Sequence, residues 1–292
     1  MPGTTMKPRI IIEKSPELGF CCGVKRAISL LEKAAGINGK IETLGPVVHN
    51  RQVVESLSKK GIRQVSSLGD VKGKLVAITA HGTDPVTLKA IQKRGLEVVD
   101  TTCTIVKSTQ KAVSRFARAG YGIVIFGDPE HTEVKGLLGW SGEKAIATTK
   151  ADDVAAWSET PRRLAIFSQS TQCQAGFRDF VKKVLSASFT RLREIHIVNT
   201  ICQVTHQRQE SAQELAGRCD LMLVVGGKNS ANTRRLAETC AKEAETHSIE
   251  TADEIYGDWL KGKKHIGIVA GTSTPDDIVV EVAARLKKLT SA

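Results

Sequence analysis

The sequence predicts an α/β chain built from small parallel-sheet units, and three observations lead there. Short runs rich in Ile and Val alternate with amphipathic stretches along the 292 residues. That alternation is what strands lying parallel beneath a cover of helices produce. No Pro-, Gly- or Ser-rich linker interrupts it, so any units are compactly joined. Three cysteines, Cys21, Cys103 and Cys202, each stand where a strand pattern gives way to a helix pattern, 82 and 99 residues apart and so close to a third of the chain each.

Taken in order, Arg9–Glu13 reads as the first strand, and Val24–Ala35 as the helix beyond Cys21. Ile41–Leu44 precedes a helix over Arg51–Lys60, and Leu75–Thr79 precedes one over Pro85–Lys93. The run Glu97–Thr102 leads into Cys103 and a helix over Val106–Ala119. Strands then follow at Gly122–Phe126 and Leu164–Phe167, with a helix over Ala175–Ala187. Glu194–Val198 runs on to Cys202 and a helix over Arg208–Ala216. Leu221–Val225 and His265–Val269 are the last strands, followed by helices over Ser230–Glu243 and Asp276–Lys288.

In parallel α/β units, ligands collect beyond the carboxyl ends of the strands. Three such units about an axis would aim three thiols at one centre. Three thiolates suit an iron–sulfur cluster better than zinc, which takes a fourth protein ligand when it is structural. A [4Fe–4S] cube held by three cysteines leaves one iron open as a Lewis acid. The competing reading is that junction cysteines are packing residues, small and hydrophobic. Spacing alone does not choose between them.

Composition narrows the classes. Hydrophobic residues make up 41% and charged residues 25%, which suits a globular chain and not a disordered one. No apolar run approaches the roughly 20 residues of a membrane helix, and the first residues lack the apolar core of a secretory signal, so a cytoplasmic location is expected. With seven cysteines, no Cys-x-x-Cys and that location, neither a disulfide framework nor a zinc ribbon is expected. The net charge of +11 resides in residues 1–200, while residues 201–292 are close to neutral. No dense basic block occurs and aromatics are only 4%, so nucleic acid is not the expected partner. An anionic small molecule or an acidic protein is.

The words around the cysteines carry a resemblance. Gly19-Phe20-Cys21-Cys22-Gly23-Val24-Lys25-Arg26-Ala27-Ile28, Gly45-Pro46-Val47-Val48-His49-Asn50, Ala80-His81-Gly82 and Asp100-Thr101-Thr102-Cys103 come first. His131-Thr132-Glu133-Val134-Lys135-Gly136, Ser168-Gln169-Ser170-Thr171 and Thr200-Ile201-Cys202 … Arg208-Gln209 follow. Val225-Gly226-Gly227-Lys228-Asn229-Ser230-Ala231-Asn232 and Ala270-Gly271-Thr272-Ser273-Thr274-Pro275 complete the set. In that order they resemble the 4-hydroxy-3-methylbut-2-enyl diphosphate reductase family, over about residues 10 to 289.

The resemblance implies three α/β units in a pseudo-threefold cloverleaf around a central cluster: residues 15–103, 104–200 and 201–292, with 9–14 joining the third. It implies reductive removal of a hydroxyl from an allylic diphosphate, ending the non-mevalonate isoprenoid route. Cys21, Cys103 and Cys202 match the ligands of a [4Fe–4S] cluster with one open iron, and Glu133 matches the proton-feeding acid. His49, His81 and His131 match residues contacting the diphosphate or hydroxyl end, and Ser170 matches a hydroxyl contact. Ser230, Asn232 and Ser273 match the family's diphosphate cradle, in which Ala231 takes the place of a second serine. Without the family, each histidine reads as a surface or capping residue, and Ser230 and Asn232 as helix N-caps. The family's electron donors, ferredoxin or flavodoxin, are small and acidic, which suits the basic charge.

Departures from the family wording point to a divergent member. Ala231 stands where a second serine is usual, Ser170 where threonine is usual, and Thr104 where proline is usual. Gln203-Val204-Thr205-His206-Gln207 and Gly127-Asp128-Pro129-Glu130 also differ. They keep in view a paralogue that reduces another anionic compound, while the +11 charge keeps in view a noncatalytic iron–sulfur sensor or nucleic-acid binder.

Overall fold

The computed structural model describes residues 10–157 and 161–291; Arg9, expected to open the first strand, lies outside them. In chain order the elements are β1 (Ile11–Lys14), α1 (Cys22–Asn38), β2 (Ile41–Leu44), α2 (Arg51–Lys59), β3 (Ile62–Val65), β4 (Leu75–Ile78), α3 (Pro85–Lys93), β5 (Glu97–Asp100), α4 (Thr104–Arg118), β6 (Gly122–Phe126), α5 (Thr132–Ser141), β7 (Ala145–Thr148), α6 (Ala151–Ala156), β8 (Arg163–Ser168), α7 (Gln174–Ser188), β9 (Glu194–Ile197), α8 (Gln203–Ala216), β10 (Leu221–Val225), α9 (Ala231–Cys240), β11 (Glu245–Ile249), β12 (His265–Ala270) and α10 (Asp276–Ser291).

The strands form three four-stranded sheets, and every neighbouring pair is parallel. Their orders are β3-β2-β4-β5, β7-β6-β8-β9 and β11-β10-β12-β1. Each is the same sequence of slots: second, first, third, fourth. In the last sheet the fourth slot is filled by β1 from the far end of the chain, with Ile11 opposite His265. The fold is therefore α/β with three parallel-sheet units, as the alternation predicts.

Helices on both faces explain the composition of the inner strands. Every residue of Gly122-Ile123-Val124-Ile125-Phe126 and of Leu221-Met222-Leu223-Val224-Val225 is buried. In β6, Val124 and Phe126 pack with Phe177, Phe180 and Val184 of α7, while Ile123 and Ile125 pack with Val113 of α4 and Leu137 of α5. In β10, Leu221 and Leu223 pack with Val279, Val282 and Leu286 of α10, and Met222 and Val224 with Leu215 of α8 and Leu236 of α9. Each fully buried Leu, Ile or Phe contributes about 1.5–3 kcal/mol relative to exposure.

Several elements differ from the sequence expectation. β3, β7 and β11 border their sheets; β3 and β11 carry few apolar residues and β7 is half alanine, so none reads as an Ile- and Val-rich run, and α5 and α6 are likewise not expected from the sequence. α8 begins at Gln203, five residues before the expected start, so the divergent run Gln203–Gln207 is helical.

The described residues divide into two compact units. One holds the chain up to Cys21, His49–Val53 and the chain from Gln207 onward; the other holds Cys22–Val48 and Val54–His206. The sheet with β10 and β12 lies in the first unit, and the other two sheets lie in the second. No helix among the described residues is long and apolar enough to cross a membrane.

Candidate functional site

Each expected cluster cysteine occupies the same place in its sheet's topology: after the fourth strand, with its backbone N–H donated to the loop after the third. Cys103 donates to Ala80 O at 3.0 Å, Cys202 to Ser170 O at 2.9 Å, and Cys21 to Thr272 O at 3.0 Å. Further bonds hold these loops. The Thr101 hydroxyl donates to Ile78 O at 2.5 Å, and the Thr200 hydroxyl to Ser168 O at 2.5 Å. The Arg26 guanidinium donates to Thr102 O at 3.0 Å, fixing the peptide just before Cys103.

In the second unit, Cys103, Cys202, Glu133, Ser170, His81 and His131 are involved. Cys103 is the residue that opens α4. Burial pushes its thiol pKa up, the N–H groups of Ile105 and Val106 pull it back, and the charges of Cys202 and Glu133 push it up again. The two thiols and the carboxyl thus feel one another. His131 caps α5, its Nδ1 accepting from Glu133 N at 3.2 Å. That cap turns Glu133 inward, where it is only 3% exposed.

Glu133 accepts two bonds from one residue: Ser170 N–H at 2.7 Å on Oε1 and the Ser170 hydroxyl at 2.6 Å on Oε2. Burial raises the Glu133 pKa, and it outweighs the lowering by the two Ser170 bonds. The His81 and His131 rings meet edge to face, with centroids 5.6 Å apart. Gly82, next to His81, adopts φ +74°, where a side chain would be strained and would meet the Gln110 amide.

In the first unit, Cys21, His49, Ser230, Ala231, Asn232 and Ser273 are involved. Ser230 caps α9, its Oγ accepting from Thr233 N at 3.3 Å, so the capping reading holds for it. Asn232 does not cap. Its amide is buried, 3% exposed, with neither Nδ2 nor Oδ1 bonded among the described residues. Ser273 Oγ is likewise buried and without a partner among them. Ala231 opens α9 half-buried and brings no side-chain oxygen. Burial lowers the His49 pKa, and the nearby positive charge of Arg234 lowers it further, so His49 is held neutral. A Cβ on Gly227 would run into His49 O, so only glycine permits that approach.

The words around the cysteines left one contributor without a role. Arg208 is buried and donates to Ala270 O at 3.0 Å, Gly19 O at 2.6 Å and Leu18 O at 3.3 Å. It ties the loop leading to Cys21 to the loop carrying Ser273. Its presence six residues after Cys202, inside a helix, was the available signal.

Six of the remaining cysteines and histidines have structural settings. Cys219 and Cys240 are buried, and Cys173 caps α7. His196 pairs with Glu194 at 2.8 Å, His265 with Glu13 at 2.9 Å, and His247 stacks on Trp259 at 3.8 Å.

Comparison with known proteins sets this geometry in a family. The profile of the family described as LytB protein matches residues 12–287. The 4-hydroxy-3-methylbut-2-enyl diphosphate reductase of Dehalococcoides mccartyi (strain CBDB1) is 46% identical over 280 residues, covering 96% of this chain and 99% of the relative. The protein of the same name from Pelobacter propionicus is 40% identical over 284 residues, covering 96% and 98%. A solved structure of (E)-4-hydroxy-3-methyl-but-2-enyl diphosphate reductase, described as the terminal enzyme of the non-mevalonate pathway, superposes with a TM-score of 0.69 at 37% identity, covering 96% of this chain and 99% of that one. The Plasmodium falciparum E-1-hydroxy-2-methyl-but-2-enyl-4-diphosphate reductase superposes with a TM-score of 0.89 at 25% identity, covering 97% and 89%. The chain belongs to the LytB family.

Proposed function

We propose that this chain reduces (E)-4-hydroxy-3-methylbut-2-enyl diphosphate to isopentenyl and dimethylallyl diphosphate, in the cytoplasm, with electrons from an acidic carrier such as ferredoxin or flavodoxin. Two electrons and two protons enter, the allylic C–O bond breaks, and the hydroxyl leaves as water. The observation that carries this reading is the buried Glu133 carboxyl, held by both donors of Ser170 on the helix that His131 caps.

Hydroxide is a poor leaving group, so the reaction needs an acid at the hydroxyl. A carboxyl whose pKa is raised by burial keeps its proton where an exposed glutamate loses it. Once the proton has gone, the Ser170 N–H and O–H groups stabilise the carboxylate left behind. His131 fixes the helix start that aims Glu133. On the same reading His81 and His131 contact the hydroxyl end.

The thiols fit a [4Fe–4S] cluster. Cys21, Cys103 and Cys202 share one topological position and one mode of N–H anchoring, and each is partly exposed. These three would hold it, and a bound cluster supplies electrons and an open iron for the substrate oxygen. We also read the chain as three parts, 15–103, 104–200 and 201–292 with 9–14, supported by the repeated strand order.

Ser230, Asn232 and Ser273 bind the diphosphate. A buried polar group without a partner costs about 1–3 kcal/mol, and phosphate oxygens relieve that cost at the Asn232 Nδ2 and the Ser273 hydroxyl. The free N–H groups at the start of α9 favour an anion, and neutral His49 keeps one ring N–H as a donor. The Ser273→Ala variant should bind inorganic pyrophosphate about tenfold more weakly, a loss of about 1.4 kcal/mol. Its melting temperature without ligand should be equal or higher, because an unsatisfied hydroxyl has been removed; calorimetry and thermal melts check both.

Ala231 contributes only backbone. Restoring a hydroxyl with Ala231→Ser should tighten pyrophosphate binding by roughly tenfold to a hundredfold, the worth of a hydrogen bond to a charged group. An unchanged dissociation constant would place residue 231 outside the cradle. The activity itself is tested by anaerobic turnover of the allylic diphosphate with reduced methyl viologen. A colourless, iron-free protein after anaerobic reconstitution would overturn the reading, and faster reduction of a different phosphorylated alcohol would favour the paralogue.

A further inference from the structure

We propose that the exposed face of α4 is the docking surface for an acidic one-electron carrier protein. The inference rests on the reductase reading above and adds the place where electrons enter. Lys107, Lys111, Arg115 and Arg118 follow at spacings of four, four and three, which puts them in one stripe on an α-helix. All four are exposed, while Val106, Thr109, Gln110 and Val113 are buried on the other face. The stripe is about 17 Å long at 1.5 Å per residue.

The helix does not need this stripe for its own stability. Cations in the last turn suit the helix dipole, which accounts for Arg115 and Arg118. Lys107 and Lys111 stand in the first half, where the dipole gives no such benefit, and like charges four apart repel. Lys107 is paired with Asp100 at 2.5 Å. Lys111, Arg115 and Arg118 have no carboxylate partner among the described residues; the Arg115 guanidinium lies 5.3 Å from the Phe116 ring centroid.

Two clefts flank the stripe and share Lys111 and Trp140. One, of about 190 Å³, is lined by Thr102, Lys107 and Trp140, and the other, of about 320 Å³, by Arg115, Arg118 and Trp140. Trp140 is fixed by its Nε1–H donating to Thr83 O at 2.9 Å, so it offers a rigid aromatic anchor amid positive charge. Thr102 immediately precedes Cys103. A carrier seated on the stripe therefore reaches the loop of a proposed cluster ligand, which is where an electron must arrive. Among the described residues Trp140 is the only aromatic lining either cleft, so successive bases have no run of rings to stack on, and the surface favours an acidic protein over nucleic acid.

The test compares the reconstituted enzyme with its K111E/R115E/R118E variant, and with K111Q/R115Q/R118Q in case charge reversal disturbs folding. The probe is an acidic ferredoxin. At low salt its dissociation constant should rise at least about tenfold in the reversed variant and less in the neutral one, with a flatter salt dependence in both. Turnover with reduced methyl viologen should not change. Ferredoxin binding as tight as wild type in both variants overturns the proposal. An equal fall in viologen turnover overturns it too, because the stripe then serves the fold or the site. So does tighter binding of a single-stranded oligonucleotide than of ferredoxin, lost in the same variants. If wild type fails to turn over with viologen, the reductase reading fails, while the ferredoxin titration, which needs no turnover, still decides the docking.

Discussion

Replacing Glu133 with glutamine should lower turnover of the allylic diphosphate by about 10²–10⁴-fold, the usual worth of a positioned general acid, while leaving a chain at least as stable at neutral pH. Glutamine keeps an oxygen for the Ser170 N–H, and the Ser170 hydroxyl can turn to accept from the new amide. What it lacks is the proton. The stability effect has a definite sign. Burial raises the Glu133 pKa in the folded chain above its unfolded value. Its contribution to stability is thus fully present below the unfolded pKa and is lost as pH rises through the folded one. The variant does not titrate there, so its advantage in melting temperature should grow across that window and level off above it. Turnover within threefold of wild type would remove Glu133 from the acid role, and an advantage that shrinks with rising pH would reverse the assigned cause.

Cys103→Ser should abolish turnover, whatever the reductant, along with the brown colour of the anaerobically reconstituted protein. Serine preserves the size and the N–H bond to Ala80 O but is not a soft ligand for iron. The chain without iron should melt within a few degrees of wild type, since Cys103 is only partly buried and its thiol is not part of the packed core. A full iron complement in this variant would mean that Cys103 is not a ligand. The same substitution at Cys173, which caps α7 at the end of the loop carrying Ser170, serves as the nearby control and should retain iron.

Apolar β6 and β10 were readable from the sequence because helices cover both faces and every position is hydrophobic. The bordering strands were not. Ile62-Arg63-Gln64-Val65 buries only its two ends, and Glu245-Thr246-His247-Ser248-Ile249 only its last residue, so pairing with a neighbour, rather than residue type, makes them strands. α5 escaped because Thr132–Ser141 contains two glycines and places a buried glutamate in its first turn, against ordinary patterning. That inconsistency marks the site itself. The family words named Glu133 and Ser170 separately; their double hydrogen bond joins residues 37 apart, which no local pattern carries. Arg208 was hidden for the same reason, because the carbonyls it binds lie 62, 189 and 190 residues away.

The strand order of the third sheet has a consequence for synthesis. Chains fold domain by domain as they emerge, amino-terminal parts first, and the sheets of β2–β5 and β6–β9 have all their strands well before the end. β1 has no partner until β12 is made, and the loop bearing Cys21 waits for Arg208 and Thr272. The first of the three thiols to leave the ribosome is therefore the last to be anchored. A chain stalled or truncated before His265 would carry Cys103 and Cys202 in finished loops and Cys21 on a loose tail. All three of the proposed ligand thiols are therefore anchored only in a chain that extends past Thr272.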